Sequence, residues 1–458
     1  MFSSPELKAA KLSLSNMFNR SALGLTARLL LVRQIAFCSE VSLNFNEVRP
    51  GYVKSSEKTI KIHISELKIG MFISKLDRPW LETPFLMQGF VVESLDDIDA
   101  IAEYSQQVWI DAVREEWVAP EARATAKGHA KKVTYINKVD TQTEHSAALQ
   151  TYREARRITR TLLDDLRLGG VINSEQAKET VKDCVHSILR NADALLWMSK
   201  IRSQDEYTAE HCLNVCVLAI AFGRHLGMSE ADLEKLGMCG LLHDVGKMKV
   251  DPAILNKPSS LTEKEFNIMK AHATHGRNLL MASPGIPNST IDVAYSHHEK
   301  VDGTGYPRGL KSSGISELAK MIAIVDAYDA MTADRCYALG IPSTEALKTI
   351  YKDRGTHFDD RLALEFIKCV GLYPPGTLVE LVNGLVAIVF ETNPRFRHLP
   401  KIIAVKNQDK LLAKNVLVDL ADVEKEKLEK TFLIKRALKD GAFGVFIKDY
   451  REQGLALG

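Results

Sequence analysis

Between residues 203 and 370 the chain repeatedly sets an imidazole or a carboxylate on the apolar side of a helical pattern, and that limits what it can fold into. His211, in "EYTAEHCLNVCVLAIAFG", is followed by Val215, Leu218 and Phe222 at helical spacing, so it lies on the stripe that faces a core. His243 and Asp244 close the apolar run "GLLHDVGK", where Gly246 is expected to end the helix. His272 is expected to share a helix with Phe266, Met269 and Gly276. His297 and His298 stand side by side, and Asp326 follows Ile322 and Val325 onto an apolar face. A buried carboxylate is tolerable only beside a cation or several donors.

Taken together these are five histidines and two carboxylates on inward faces. Mixed imidazole and carboxylate donors suit iron, manganese or zinc better than magnesium or calcium. Two metal ions bridged by one carboxylate would use all seven groups, with Asp244 the natural bridge because His243 anchors the same backbone. His275, three residues after His272, falls about 60° around the helix and off that face. Cys212 and Cys216 sit one turn apart in an apolar helix and read as core. Gly303 and Gly305 form a G-x-G with no strand before it or helix after it, so a dinucleotide fingerprint is rejected. The chain holds no nucleophile elbow and no phosphate-binding P-loop motif.

The 458 residues exceed one core, and their patterning divides them. Residues 1–58 read as a disordered extension. Residues 59–116 alternate like short strands around one helix, "SLDDIDAIAEYS", expected to be capped by Ser94. Residues 117–200 read as a linker followed by connecting helices, broken at "LGGVINSE". Residues 201–371 are helical, with Ser229 and Thr262 at capping-box spacing from Asp232 and Glu265. Residues 372–458 return to strands, with Asn383-Gly384 as a hairpin turn. The fold class is therefore multidomain α+β: a small N-terminal α+β domain, an all-α helical bundle and a short C-terminal β appendage.

Net charge is only +2, which argues against binding polymeric nucleic acid. The apolar stretch at 22–38 is interrupted by Arg28 and Arg33 and is too short to span a bilayer. Seven cysteines without paired spacing point to reduced thiols and a cytoplasmic setting.

"HDVGK", the downstream His272, "HHEKVDGTGYP" and "DAYDAMTADR" together resemble the HD-GYP class of HD metal-dependent phosphohydrolases. The resemblance runs from about Tyr207 to Gly371 and implies an all-α HD-type bundle. The strand-rich segment before it resembles the small domain of unknown function that often precedes HD-GYP in bacteria. It implies a phosphodiesterase that opens 3'-5' cyclic dinucleotides, cyclic di-GMP or cyclic GMP-AMP, by a hydroxide bridging two divalent ions, iron or manganese. Carried over residue by residue, His211, His243 and Asp326 would hold one ion and His272, His297 and His298 the other, with Asp244 shared. Some members take a third ion through a glutamate where this chain has Tyr207, so two are expected.

Lys247 would neutralise charge on the leaving oxygen, and Arg335 matches an arginine that contacts the dinucleotide. Gly305, Tyr306 and Pro307, with Asp302 just ahead of them, would frame the substrate pocket. One departure is "RCYA", with Cys336 and Ala338 where the family commonly reads R-P-Y-R or R-P-Y-K. It removes a second basic contact and opens the way to a hybrid dinucleotide. A dinucleotide-sensing module is the competing reading, but sensors of this type usually lose ligands and none is lost here. A different HD nucleotide hydrolase is the other, and the "GYP" extension argues against it. The N-terminal domain could serve ligand sensing, a homodimer or docking of a signalling partner.

Overall fold

A computed structural model describes residues 59–78, 83, 90–92, 95–111, 133–199, 207–333, 340–393 and 395–452. The expected extension, the Ser94 cap, most of the linker, and Arg335, Cys336 and Ala338 lie outside the described residues.

The N-terminal module has strands β1 (Thr59–His63), β2 (Phe72–Leu76), β3 (Phe90–Val91) and β4 (Gln107–Asp111), with helix α1 (Leu95–Ala102) between the last two. The sheet order is β1-β4-β2-β3, and β2 runs antiparallel to both neighbours. Alternation places Val108 and Ile110 on one buried face, and a register shift after Ile73 brings both Ile73 and Leu76 of β2 to it, where Ile101 of α1 covers them.

Helices follow. Asp140 caps α2 (Thr141–Arg167) by accepting from the Thr143 amide at 2.8 Å. The chain breaks at Gly169, whose φ of +92° suits glycine, and restarts in α3 (Ser174–Arg190) under an Asn173 cap. Next come α4 (Ala192–Ser199), α5 (Tyr207–His225) and α6 (Glu230–Leu242). Short α7 (Pro252–Leu255) and α8 (Glu263–Lys270) lead to α9 (His272–Ala282), α10 (Asn288–Ser296), α11 (Glu317–Thr332), α12 (Ser343–Lys352) and α13 (Asp360–Val370). Both expected caps form: Ser229 takes the Asp232 amide, and Thr262 and Glu265 make a full capping box.

Two expectations are corrected. The single helix through Phe266, Met269 and His272 is two helices that meet at Ala271. Gly246 is not a left-handed helix stop; it lies within a tight 3₁₀ turn, Val245–Lys249, that follows α6 directly.

The connecting helices prove integral to the core. α2 to α6 share one apolar cluster with the inner face of the C-terminal sheet, where Trp197 meets the Phe390 ring edge-on at 5.9 Å. Full burial of a side chain such as Phe390 contributes about 1.5–3 kcal/mol. A second cluster gathers α5, α11, α12 and α13 around Phe222, Tyr328 and Phe366. Helix α5 faces both, with Leu213, Val217 and Ile220 in the first and Val215, Leu218 and Phe222 in the second. The C-terminal sheet is antiparallel, in the order β8 (Leu412–Asp419), β7 (Lys401–Lys406), β6 (Val386–Glu391), β5 (Leu378–Leu381), β9 (Ile434–Leu438), and α14 (Ile447–Glu452) closes the described chain. Gly384, at φ +84°, makes the expected hairpin turn.

Candidate metal centre

Five elements converge on one buried point. α5 brings His211 from its first turns, and the end of α6 brings His243 and Asp244. α9 opens with His272, α10 ends just before His297 and His298, and α11 carries Asp326. The side-chain donors fall into two groups, each within 4.8 Å: His211, His243 and Asp326, and Asp244, His272, His297 and His298.

Asp244 stands between them. Its Oδ2 lies 3.5 Å from the Nε2 of both His211 and His243, while Oδ1 lies 3.3 Å from His272 Nε2 and 3.7 Å from His297 Nε2. Asp326 Oδ1 is 3.1 Å from His211 Nε2 and 3.9 Å from His243 Nε2. The approach of α9 to the "HD" turn depends on glycine. A Cβ at Gly246 would run into the His272 carbonyl and the Gly276 amide, so two backbones touch there with no side chain between them.

The hydrogen bonds behind the imidazoles fix their tautomers. Nδ1 of His243 lies 2.8 Å from the Gly240 carbonyl, that of His272 2.7 Å from the Met269 carbonyl, and that of His297 3.1 Å from the carbonyls of Val293 and Ala294. A nitrogen facing a carbonyl must carry the proton, so Nε2 of each ring presents a lone pair inward. Burial holds His243 down to about 4 and His272 down to about 3, so neither ring takes a second proton at neutral pH. Two such lone pairs, on His272 and His297, then face each other at 3.3 Å. His243 Nε2 and Asp244 Oδ1 are buried with no hydrogen-bond partner. Burial opposes the charge on Asp244, yet Lys247 and the surrounding imidazoles hold its carboxyl well below the usual range. Converging lone pairs, unsatisfied buried atoms and two ionised carboxylates fit divalent cations and little else.

The loop after His298 is built rather than loose. Glu299, 2% exposed, accepts from the amides of Arg308 at 2.7 Å and Leu310 at 2.8 Å, which folds the chain back on itself. Gly305 packs so closely on the backbone of Glu299 and Lys300 that no Cβ fits. Tyr306 stacks on His298, with centroids 4.7 Å apart, and precedes Pro307 through a cis peptide bond. Burial pushes the Tyr306 phenol up, so it stays protonated. Asp302 is exposed, and its Oδ1 accepts from the Thr304 amide and hydroxyl at 2.8 and 2.7 Å, an Asx turn within the loop. Lys247 reaches in from the 3₁₀ turn to touch Asp244 Oδ2.

The structure thus brings the seven expected donors together and leaves His275 outside both groups. Two residues escaped the sequence reading. Asp329, 2% exposed, lies with Oδ2 2.7 Å from His211 Nδ1. Its signal was its place three residues after Asp326 on the same helix. Glu299 gave no signal beyond its charge.

Residues 190–362 match the HD domain family, and residues 59–177 match a domain of unknown function, DUF3391. The cyclic di-GMP phosphodiesterase PA4108 of Pseudomonas aeruginosa is 35% identical over 351 residues, covering 75% of this chain and 84% of that protein. The 3'3'-cGAMP-specific phosphodiesterase 3 of Vibrio cholerae is 36% identical over 175 residues, 38% of each chain. A solved structure of Bd1817, an HDG"Y"P protein from Bdellovibrio bacteriovorus, aligns with 68% of this chain and 99% of its own, at 18% identity and a TM-score of 0.42. Fold and site thus define an HD-domain architecture behind a DUF3391 module. Within that class the chain belongs to the HD-GYP family.

Proposed function

We propose that this chain is a binuclear metal-dependent phosphodiesterase that opens 3'-5' cyclic dinucleotides, cyclic di-GMP or 3',3'-cyclic GMP-AMP, to the linear dinucleotide. The observation that carries the reading is Asp244, whose two oxygens face two separate imidazole sets among unsatisfied buried atoms. The names of the relatives supply the substrate class.

His211, His243 and Asp326 would hold one ion and His272, His297 and His298 the other, with Asp244 shared. Iron or manganese suits these donors. When bound, the ions supply Lewis acidity that activates water at neutral pH and neutralises the scissile phosphate. The protein supplies the rest. Lys247, 21% exposed beside Asp244, can turn toward the substrate and offset the charge growing on the departing 3' oxygen. Tyr306, stacked on His298, would line the substrate pocket, with Gly305 and Pro307 setting its position. Asp302 shapes the same loop through its turn. Arg335 is assigned to a phosphate or a guanine edge, which its planar fork suits. Because "RCYA" lacks a second basic side chain, 3',3'-cyclic GMP-AMP stands beside cyclic di-GMP as a candidate substrate.

No helix among the described residues is long and apolar enough to cross a membrane. The five cysteines described as free support a reducing, cytoplasmic setting.

The test is turnover of both dinucleotides by protein prepared with Mn²⁺ or Fe²⁺ under reducing conditions, with metal counted per chain. Two ions per chain and a linear product are expected. Two ions with neither substrate cleaved would replace catalysis with sensing, and no bound metal would end the reading.

A further inference from the structure

The two halves of the centre look alike in their imidazoles and differ in what stands behind them. His243, His272 and His297 each set Nδ1 against a backbone carbonyl. His211 sets its Nδ1 against the buried carboxylate of Asp329 at 2.7 Å. The same half also contains Asp326, whereas among the described residues the His272 half has only the Asp244 oxygen that faces it. Lys247 lies on the Asp244 oxygen nearest His211 and offsets one negative charge there. Among the described residues the His211 side thus gathers two carboxylates of its own, Asp326 and Asp329. In a dry interior a charge at this range counts heavily, and a carboxylate behind a ligating imidazole raises that ligand's basicity.

Building on the binuclear reading, we propose that Asp329 is a positioning residue that makes the His211–His243–Asp326 position the tighter of the two, so that the centre fills in order. Asp329 fixes the proton on His211 Nδ1, aims Nε2 at the ion and adds charge without touching it. A bland account of the same contacts exists. His211 has a carboxylate against each nitrogen, Asp326 and Asp329, and would then be an ion-paired imidazolium that braces α5 against α11.

Calorimetric titration of the metal-stripped full chain with Mn²⁺, followed in parallel by electron paramagnetic resonance, separates these accounts. Wild type should bind two ions in two steps, with an isolated-ion spectrum at one equivalent and a coupled spectrum at two. Asp329→Asn, isosteric and still able to accept a hydrogen bond, should weaken the tight step about 10–100-fold and leave the weak step unchanged. His272→Ala should do the reverse. Melting of the stripped variants is measured alongside. An Asp329→Asn chain that melts lower but titrates like wild type overturns the inference in favour of the brace. A weakened second step alone overturns the assignment of positions. Wild type that binds fewer than two ions removes the binuclear reading itself, a result distinct from either.

Discussion

Lys247 leaves the 3₁₀ turn with 21% of its side chain exposed and rests its ammonium on a carboxylate that is 1% exposed. Such a contact can serve the charge of Asp244 or the charge of a substrate, and the two roles have different signatures. Lys247→Met is expected to retain both ions while kcat falls about 10²–10³-fold, the scale for losing one group that stabilises transition-state charge. Metal counting and steady-state kinetics on one preparation check it, and loss of an ion would mean that Lys247 serves Asp244 instead. His211 and Asp326 were legible because helical phase places a polar residue among Val215, Leu218 and Phe222, or after Ile322 and Val325, and the other five donors were legible through "HDVGK", the downstream His272 and "HHEKVDGTGYP". The same phase reaches Asp329, but spacing cannot tell a carboxylate that faces an ion from one that stands behind a histidine. Glu299 was illegible for another reason: its partners, the amides of Arg308 and Leu310, meet it only after the loop has closed.

At the scale of elements, the centre depends on how α9 lies on the turn after α6. Gly246→Ala must push α9 away, at a cost of about 1–3 kcal/mol for overpacking, and it should also separate His272 from Asp244. The expected outcome is a lower melting temperature together with loss of metal from the His272 side, read by calorimetry and metal analysis. A variant that melts lower with full metal content would show that α9 yields without moving its ligand. The caps at Ser229 and Thr262 were readable because their partners lie three residues away. The division between α8 and α9 was not. It falls at Ala271, a residue with no breaking tendency, and is set by packing rather than by local preference.

Across the whole molecule, burial of histidines sets the response to acid. His243 and His398 are held down to about 4 and His272 to about 3, all by burial, against about 6.5 in an unfolded chain. As pH falls below 6.5 the unfolded chain takes up protons that the folded chain refuses, so these groups withdraw stability. Asp193 works in the opposite sense. Burial raises it to about 6 while it accepts from Thr392, so it gains stability on acidification. Three histidines outweigh one carboxylate. With a chelator present, the melting temperature should fall by several degrees between pH 7.5 and 5. A chelated protein that melts at one temperature across this range would contradict the buried neutral rings.

Helix α5 gives one face to each apolar cluster, which makes it a party wall between two rooms. Nothing done to the volume of either room stays private. A gap opened beside Phe222 or a bulge beside Ile220 shifts the same wall, and His211 is mounted in its first turns.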